Sequence, residues 1–214
     1  MIEIRVGSAA DAPAIARVRR DSWRAAYEGI IAAPLIDRAT AAGGAAADPP
    51  PYRRTLVAET GERPAVIGYA SFGPERSVPS VTSSLASAAV GQPGQQSPRP
   101  LGAACGTGGD RPAPDPCGTG PHPLTVNGRA GLVGELYALY VTPAWWSTGA
   151  GRALMGRVLV CLEADGYRQV VLWVLAGNAR ARRFYDRAGF APDGGTNILT
   201  GLGDVLEVRY SREF

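Results

Sequence analysis

Gly149 and Gly151 stand between a long apolar run, Leu132 to Val141, and an amphipathic stretch that starts at Arg152. Glycine at such a junction lets the backbone come close to a bound group. The helix that follows then aims its free N–H groups and positive dipole end at that group. The chemistry implied is anion binding, suited to a phosphate or pyrophosphate. Two common uses of such a turn fail on residues: a dinucleotide fingerprint needs a third glycine where Leu154 stands, and a nucleoside-triphosphate loop needs Gly-Lys-Ser/Thr. All 22 basic residues are arginine, so a Walker-type lysine and a Schiff-base lysine are both excluded.

The cysteines and the histidine offer less. Cys105, Cys117 and Cys161 are odd in number and widely spaced, which does not describe a disulfide framework. A zinc site at Cys105, Cys117 and His122 would lack a fourth ligand and close cysteine pairing. No metal is expected. Cys161 falls on the apolar side of a helix and reads as inert filling. The net charge of +3 is too small and dispersed for a nucleic-acid arm. No run of eighteen apolar residues suggests a membrane span, and Met1 to Arg5 lacks a signal-peptide core, so the cytoplasm is the expected compartment.

The elements that must position the glycine turn follow from periodicity. Ile2, Ile4 and Val6 alternate with polar residues as a short strand. Asp11 is expected to cap a helix with Pro13 in its first turn, and Ile15, Val18, Ser22 and Trp23 share its inner face. Gly29 ends that helix, and Leu35-Ile36 suggests a second short one. Thr55–Ala58 and Ala65–Ala70 read as a hairpin. Residues 74–130 hold ten of the eighteen prolines with many Gly and Ser, so they are expected to form a disordered insertion within a single domain spanning 1–214. After the glycine turn, Leu154, Val158, Leu159 and Leu162 face a core. Gln169–Leu175 is a strand, Asn178–Ala188 a helix closed by Gly189, and Phe190–Ala191 and Val205–Tyr210 are final strands. The fold class is α/β, a mixed sheet with flanking helices.

Two blocks carry a resemblance. Glu135-Leu-Tyr-Ala-Leu-Tyr-Val141-Thr-Pro143 followed by Trp146-Ser-Thr-Gly149-Ala-Gly151-Arg-Ala153-Leu154 resembles the acetyl-CoA motif of the GNAT N-acetyltransferase superfamily. That motif is usually written Gln/Arg-x-x-Gly-x-Gly/Ala, and here Trp146 replaces the polar first residue. Leu172-Trp173-Val174-Leu175-Ala-Gly-Asn178 through Phe184-Tyr185-Asp-Arg-Ala-Gly189-Phe190 is similar to the family's next motif. The likeness covers nearly everything except the insertion.

What the resemblance implies is a GNAT fold, its twisted mixed sheet splayed between the fourth and fifth strands with the cofactor in the split. The protein would move acetyl from acetyl-CoA directly to an amine, and the alternative is a non-catalytic acyl-CoA-binding module. Pantetheine would pair with Leu139, Tyr140 and Val141, a free N–H near Tyr140 or Val141 serving the oxyanion. The pyrophosphate would meet the turn and first helical residues: Trp146, Ser147, Thr148, Gly149, Ala150, Gly151, Arg152 and Ala153. Asn178 would bond to the pantetheine arm. Tyr185 would be the acid for the departing thiolate, whose thiol has a pKa of roughly 8–9, and Glu135 the base for an amine with a pKa near ~10. Trp23 and Tyr27 border the acceptor in this superfamily. Arg180, Arg182 and Arg183 form a largely solvated face, one of them within reach of the 3′-phosphate. The acceptor is a small-molecule or peptide amine, with no nucleic-acid or membrane partner, and the protein is expected to be a monomer or homodimer.

Overall fold

The computed structural model describes residues 1–41, 52–61, 65–76, 117 and 133–214. Apart from residues 74–76 and Cys117, the proposed insertion lies outside the described residues, as do Cys105 and His122. The elements run β1 (Ile2–Val6), α1 (Ala12–Ala26), α2 (Ala33–Ala41), β2 (Arg54–Thr60), β3 (Val66–Pro74) and β4 (Val133–Val141). There follow α3 (Ala150–Ala164), β5 (Gln169–Leu175), α4 (Ala179–Arg187), β6 (Ala191–Leu199) and β7 (Val205–Glu213). One seven-stranded sheet results, in the order β1-β2-β3-β4-β5-β7-β6. All neighbours are antiparallel except β4 and β5. Among the described residues, no helix is long and apolar enough to cross a membrane.

Burial divides the sheet into two faces. Leu154, Val158, Cys161 and Leu162 of α3 pack on Leu56, Phe72, Leu136, Val170 and Leu172, joined by Tyr185 of α4 and Tyr210 of β7. The opposite face takes α1 through Val18 against Val57, Val66 and Tyr69. A third cluster seats Ile31 and Ile36 with Leu175, Trp23 and Tyr27.

Three local readings need correction. Asp11 precedes the first residue of α1, as expected, but its carboxylate caps nothing there: it accepts from Ser8 N at 2.7 Å, from Ser8 Oγ at 2.9 Å and from Arg5. The strand expected at Phe190–Ala191 extends to Leu199 as β6. Gly194 and Gly195 lie where its register with β7 slips between Pro192 and Thr196, so this part of β6 is an irregular stretch of edge strand. Cys161 is not inert filling, because it forms a disulfide with Cys117. The even pairing that spacing failed to suggest spans 44 residues.

Candidate active site

The site begins where β4 and β5 part. Their parallel ladder runs from Val133↔Gln169 to Leu136↔Leu172 and stops, although β4 continues to Val141 and β5 to Leu175. A bulge starts the divergence: Phe72 pairs with Leu136 but Ser71 with Ala138, leaving Tyr137 as the extra residue. The bulge bends the strand and resets its alternation, so that Leu139 and Val141 face α3 while Ala138 and Tyr140 face α1. Thr142 N donates to Ile67 O at 2.8 Å, toward β3. Backbone groups alternate along a strand, so the N–H groups of Val141 and Leu139 project the other way, into the gap beside β5.

At the end of β4 the chain turns into α3. Gly149 holds φ +101° as the residue before the helix, a left-handed conformation that glycine adopts without strain, and Ser147 shares the positive-φ region at +65°. Among the described residues, the N–H groups of Ala150, Gly151 and Arg152 have no backbone acceptor, whereas Ala153 N bonds to Gly149 O at 2.9 Å. Trp146 does not offer its side chain to this nest. Its Nε1 donates to Val141 O at 2.7 Å. Arg180 lies over the Trp146 ring at 4.3 Å and donates to Ser147 Oγ at 3.2 Å, clamping α4 to the turn. Arg180 and Arg183 are exposed, as expected, while Arg182 is partly buried and bonds to Tyr210 OH and to Ala176 O, bracing the β5–α4 connection.

From α4, Asn178 caps the helix by accepting from Ala181 N at 3.0 Å, and at 8 % exposure its amide nitrogen is left for another partner. Tyr185 is buried in edge-on contact with Phe184 and Phe190. Burial, with a smaller push from Tyr140, raises its phenol well above the ordinary value, so it stays protonated. Tyr140 lies across the gap, its hydroxyl 3.3 Å from that of Tyr27, and Trp23 stacks edge-on to Tyr27 at 5.1 Å. Burial raises both of these phenols as well.

Glu135 sits on the α1 side of β4, at 1 % exposure. Arg76 holds it: the main-chain N–H of Arg76 donates to Oε2 at 2.8 Å, Nε lies 3.1 and 3.2 Å from the two oxygens, and Nη2 bonds to Oε1. Arg76 also covers the Tyr137 ring at 4.5 Å. No sequence pattern announced Arg76, which lies at the edge of the Pro-rich segment. Glu207 was likewise missed as a site residue. It pairs in register with Leu175 at the open end of β5, is partly buried, and accepts from Asn197 Nδ2 at 3.3 Å.

The comparisons with known proteins agree with this architecture. A PaiA N-acetyltransferase from Thermoplasma acidophilum, solved in complex with coenzyme A, superposes with TM-score 0.60 at 15 % identity, over 100 % of this chain and 99 % of that one. A yncA acetyltransferase structure from Salmonella typhimurium with acetyl-CoA gives 0.55 at 19 %, over 100 % and 94 %. Among sequences, a mycothiol acetyltransferase of Beutenbergia cavernae is 48 % identical over 59 residues, 28 % of this chain and 20 % of the relative. An uncharacterized N-acetyltransferase of Mycobacterium bovis is 43 % identical over 78 residues, 35 % and 50 %. The chain thus spans between a fifth and a half of the length of these relatives. It matches the Acetyltransferase (GNAT) family over residues 15–190, most of its length, and it belongs to that family of acetyltransferases.

Proposed function

We propose that the protein transfers the acetyl group of acetyl-CoA directly to an amine. The observation that supports this most is the unpaired end of β4, which opens N–H donors at Leu139 and Val141 into a gap that leads to the first turn of α3. An extended amide chain such as pantetheine can complete the missing ladder, and an anionic tail can meet the free N–H groups of Ala150, Gly151 and Arg152. Asn178 Nδ2 adds a side-chain donor from the other wall. Bound there, acetyl-CoA would supply the activated acyl group as a thioester.

The remaining chemistry belongs to the chain. Val141 N–H donates to the thioester oxygen as negative charge gathers on it, a contact that strengthens toward the transition state. Tyr185 holds a proton at its hydroxyl and gives it to the departing sulfur. The Tyr27–Tyr140 pair and Trp23 wall off the acceptor side. Glu135, the base that the family resemblance implies, is held by Arg76 through both of its oxygens. The acceptor is a small-molecule or peptide amine. The cytoplasm, where the donor would be met, is the compartment this reading implies.

Titration calorimetry with acetyl-CoA, with NADH and ATP as controls, tests the donor. The reading expects acetyl-CoA to bind at micromolar affinity or better and the controls not to bind; no binding of acetyl-CoA would sink it. Thiol release with an amine panel then separates turnover from mere sensing.

A further inference from the structure

We infer that Glu207 receives the acceptor's ammonium group and takes its proton, while the Glu135–Arg76 ion pair is a fixed part of the wall. This rests on the acetyl-transfer reading above. The two carboxylates differ in what already occupies them. Glu135 is fully buried, and Arg76 satisfies both of its oxygens with a guanidinium and a main-chain N–H. Protonating it would leave the Arg76 guanidinium without its carboxylate partner, so the pair resists giving up its charge. Glu207 accepts one hydrogen bond among the described residues, from a neutral amide at 3.3 Å. The rest of its hydrogen-bonding capacity is open to a donor.

Its placement fits an incoming amine. Glu207 is opposite Leu175, the last residue of β5, where the gap is entered. Leu175 belongs to the apolar cluster that Trp23 and Tyr27 also join, and Glu207, its cross-strand partner, lies on the same sheet face. Arg76 and Glu135 from the β3–β4 side, Asn197 from β6, Tyr27 from α1 and Tyr140 from β4 are the groups in electrostatic reach of it. Burial raises its carboxyl above the ordinary value, which makes it a better proton acceptor than an exposed glutamate. An ammonium here would face a carboxylate on one side and aromatic rings on the other, the surroundings a cation favours.

The steps balance. Glu207 takes one proton from the ammonium, leaving a lone pair on nitrogen. That pair forms the C–N bond as the C–S bond breaks; Tyr185 protonates the sulfur, and the second amine proton returns to the Tyr185 oxygen. Glu207 then releases its proton to solvent. Acetyl thioester and ammonium become amide, thiol and one proton.

The test uses the full chain labelled with 13C at the glutamate carboxyls, with Glu207 and Glu135 signals assigned from Glu207→Gln and Glu135→Gln. Propylammonium chloride is added with acetyl-CoA present, and propanol serves as control. The Glu207 signal should move with propylammonium and not with propanol, and the Glu135 signal should stay. A response at Glu135 instead, or at neither carboxylate, overturns the inference. Calorimetry on the same sample keeps the two levels apart: failure to bind acetyl-CoA defeats the functional reading, whereas intact binding with a silent Glu207 defeats only this assignment. With any amine the enzyme acetylates, Glu207→Gln should lower kcat/KM by about 100-fold and flatten the acid limb of its pH profile. Its acetyl-CoA Kd should be unchanged.

Discussion

The carbonyl oxygen of Val141 accepts a hydrogen bond from the Ser22 hydroxyl at 2.9 Å. In a continuous sheet that carbonyl would turn to the neighbouring strand. Here β5 has moved away, and α1 supplies the donor, joined by Trp146 Nε1 on the same oxygen. The open strand is therefore held from outside the sheet. Ser22 is buried, and its bond fixes the helix that carries Trp23 and Tyr27 against the strand that carries Tyr140.

Ser22→Ala removes one of the two donors and leaves the carbonyl to Trp146. The expected loss is about 1 kcal/mol of unfolding free energy, the usual net worth of a buried hydrogen bond. Acetyl-CoA should bind more weakly, since the strand end that would meet pantetheine becomes looser. Ser22→Thr keeps the hydroxyl and should lose less. Urea midpoints and calorimetry on the three proteins check this, and equal values for wild type and alanine variant would refute it.

Tyr185→Phe keeps the ring that packs on Phe184, Phe190 and Tyr210 and removes only the hydroxyl. The fold and the acetyl-CoA Kd should be nearly unchanged, while kcat falls about 100-fold. Because burial keeps the phenol protonated beyond its ordinary value near ~10, the wild-type rate should show no basic limb from this residue below that pH. An unaltered kcat would remove Tyr185 from the chemistry.

Much of this arrangement was legible before any coordinates. The glycines at 149 and 151, the apolar run before them and the Asn178–Gly189 helix are local patterns, and local patterns are what periodicity and turn chemistry record. The parting of β4 and β5 came only through the family resemblance, since nothing local announces a strand without a partner. Arg76, Glu207 and the Cys117–Cys161 bond were missed for one reason. Arg76 acts on Glu135 and Cys117 on Cys161, partners far away in sequence, and Glu207 matters only through its place opposite Leu175 at the end of β5; no spacing rule links such positions. β6 was cut short because Pro192, Gly194 and Gly195 carry turn signals that an edge strand tolerates.

The Cys117–Cys161 disulfide ties a residue of the Pro-rich segment to the buried face of α3. Closing a loop across 44 residues limits the unfolded chain, and such a bond contributes about 2–4 kcal/mol. For a chain of this size that corresponds to roughly 5–15 °C in Tm. Cys117→Ser in oxidising buffer should reproduce the Tm of reduced wild type, and reductant should have no further effect on the variant. A Tm insensitive to both changes would show that the bond adds nothing to stability.

Asp11 makes stability depend on acid. Beside the Arg5 guanidinium, and bonded to the Ser8 N–H and hydroxyl, its carboxyl is held well below the usual range. In the unfolded chain it titrates near ~3.9, so on acidification the unfolded state takes up the proton first. The contribution is complete above the unfolded value and is lost as pH falls toward the folded one. Arg5 is about a third exposed, so solvent screens part of the pairing and the contribution is about 1–2 kcal/mol. Asp11→Asn should therefore cost this much at pH 7, while its unfolding midpoint should decline less than that of wild type between pH 5 and pH 2. The two curves should converge at the acid end. Parallel curves across that range would show that Asp11 is not the group responsible.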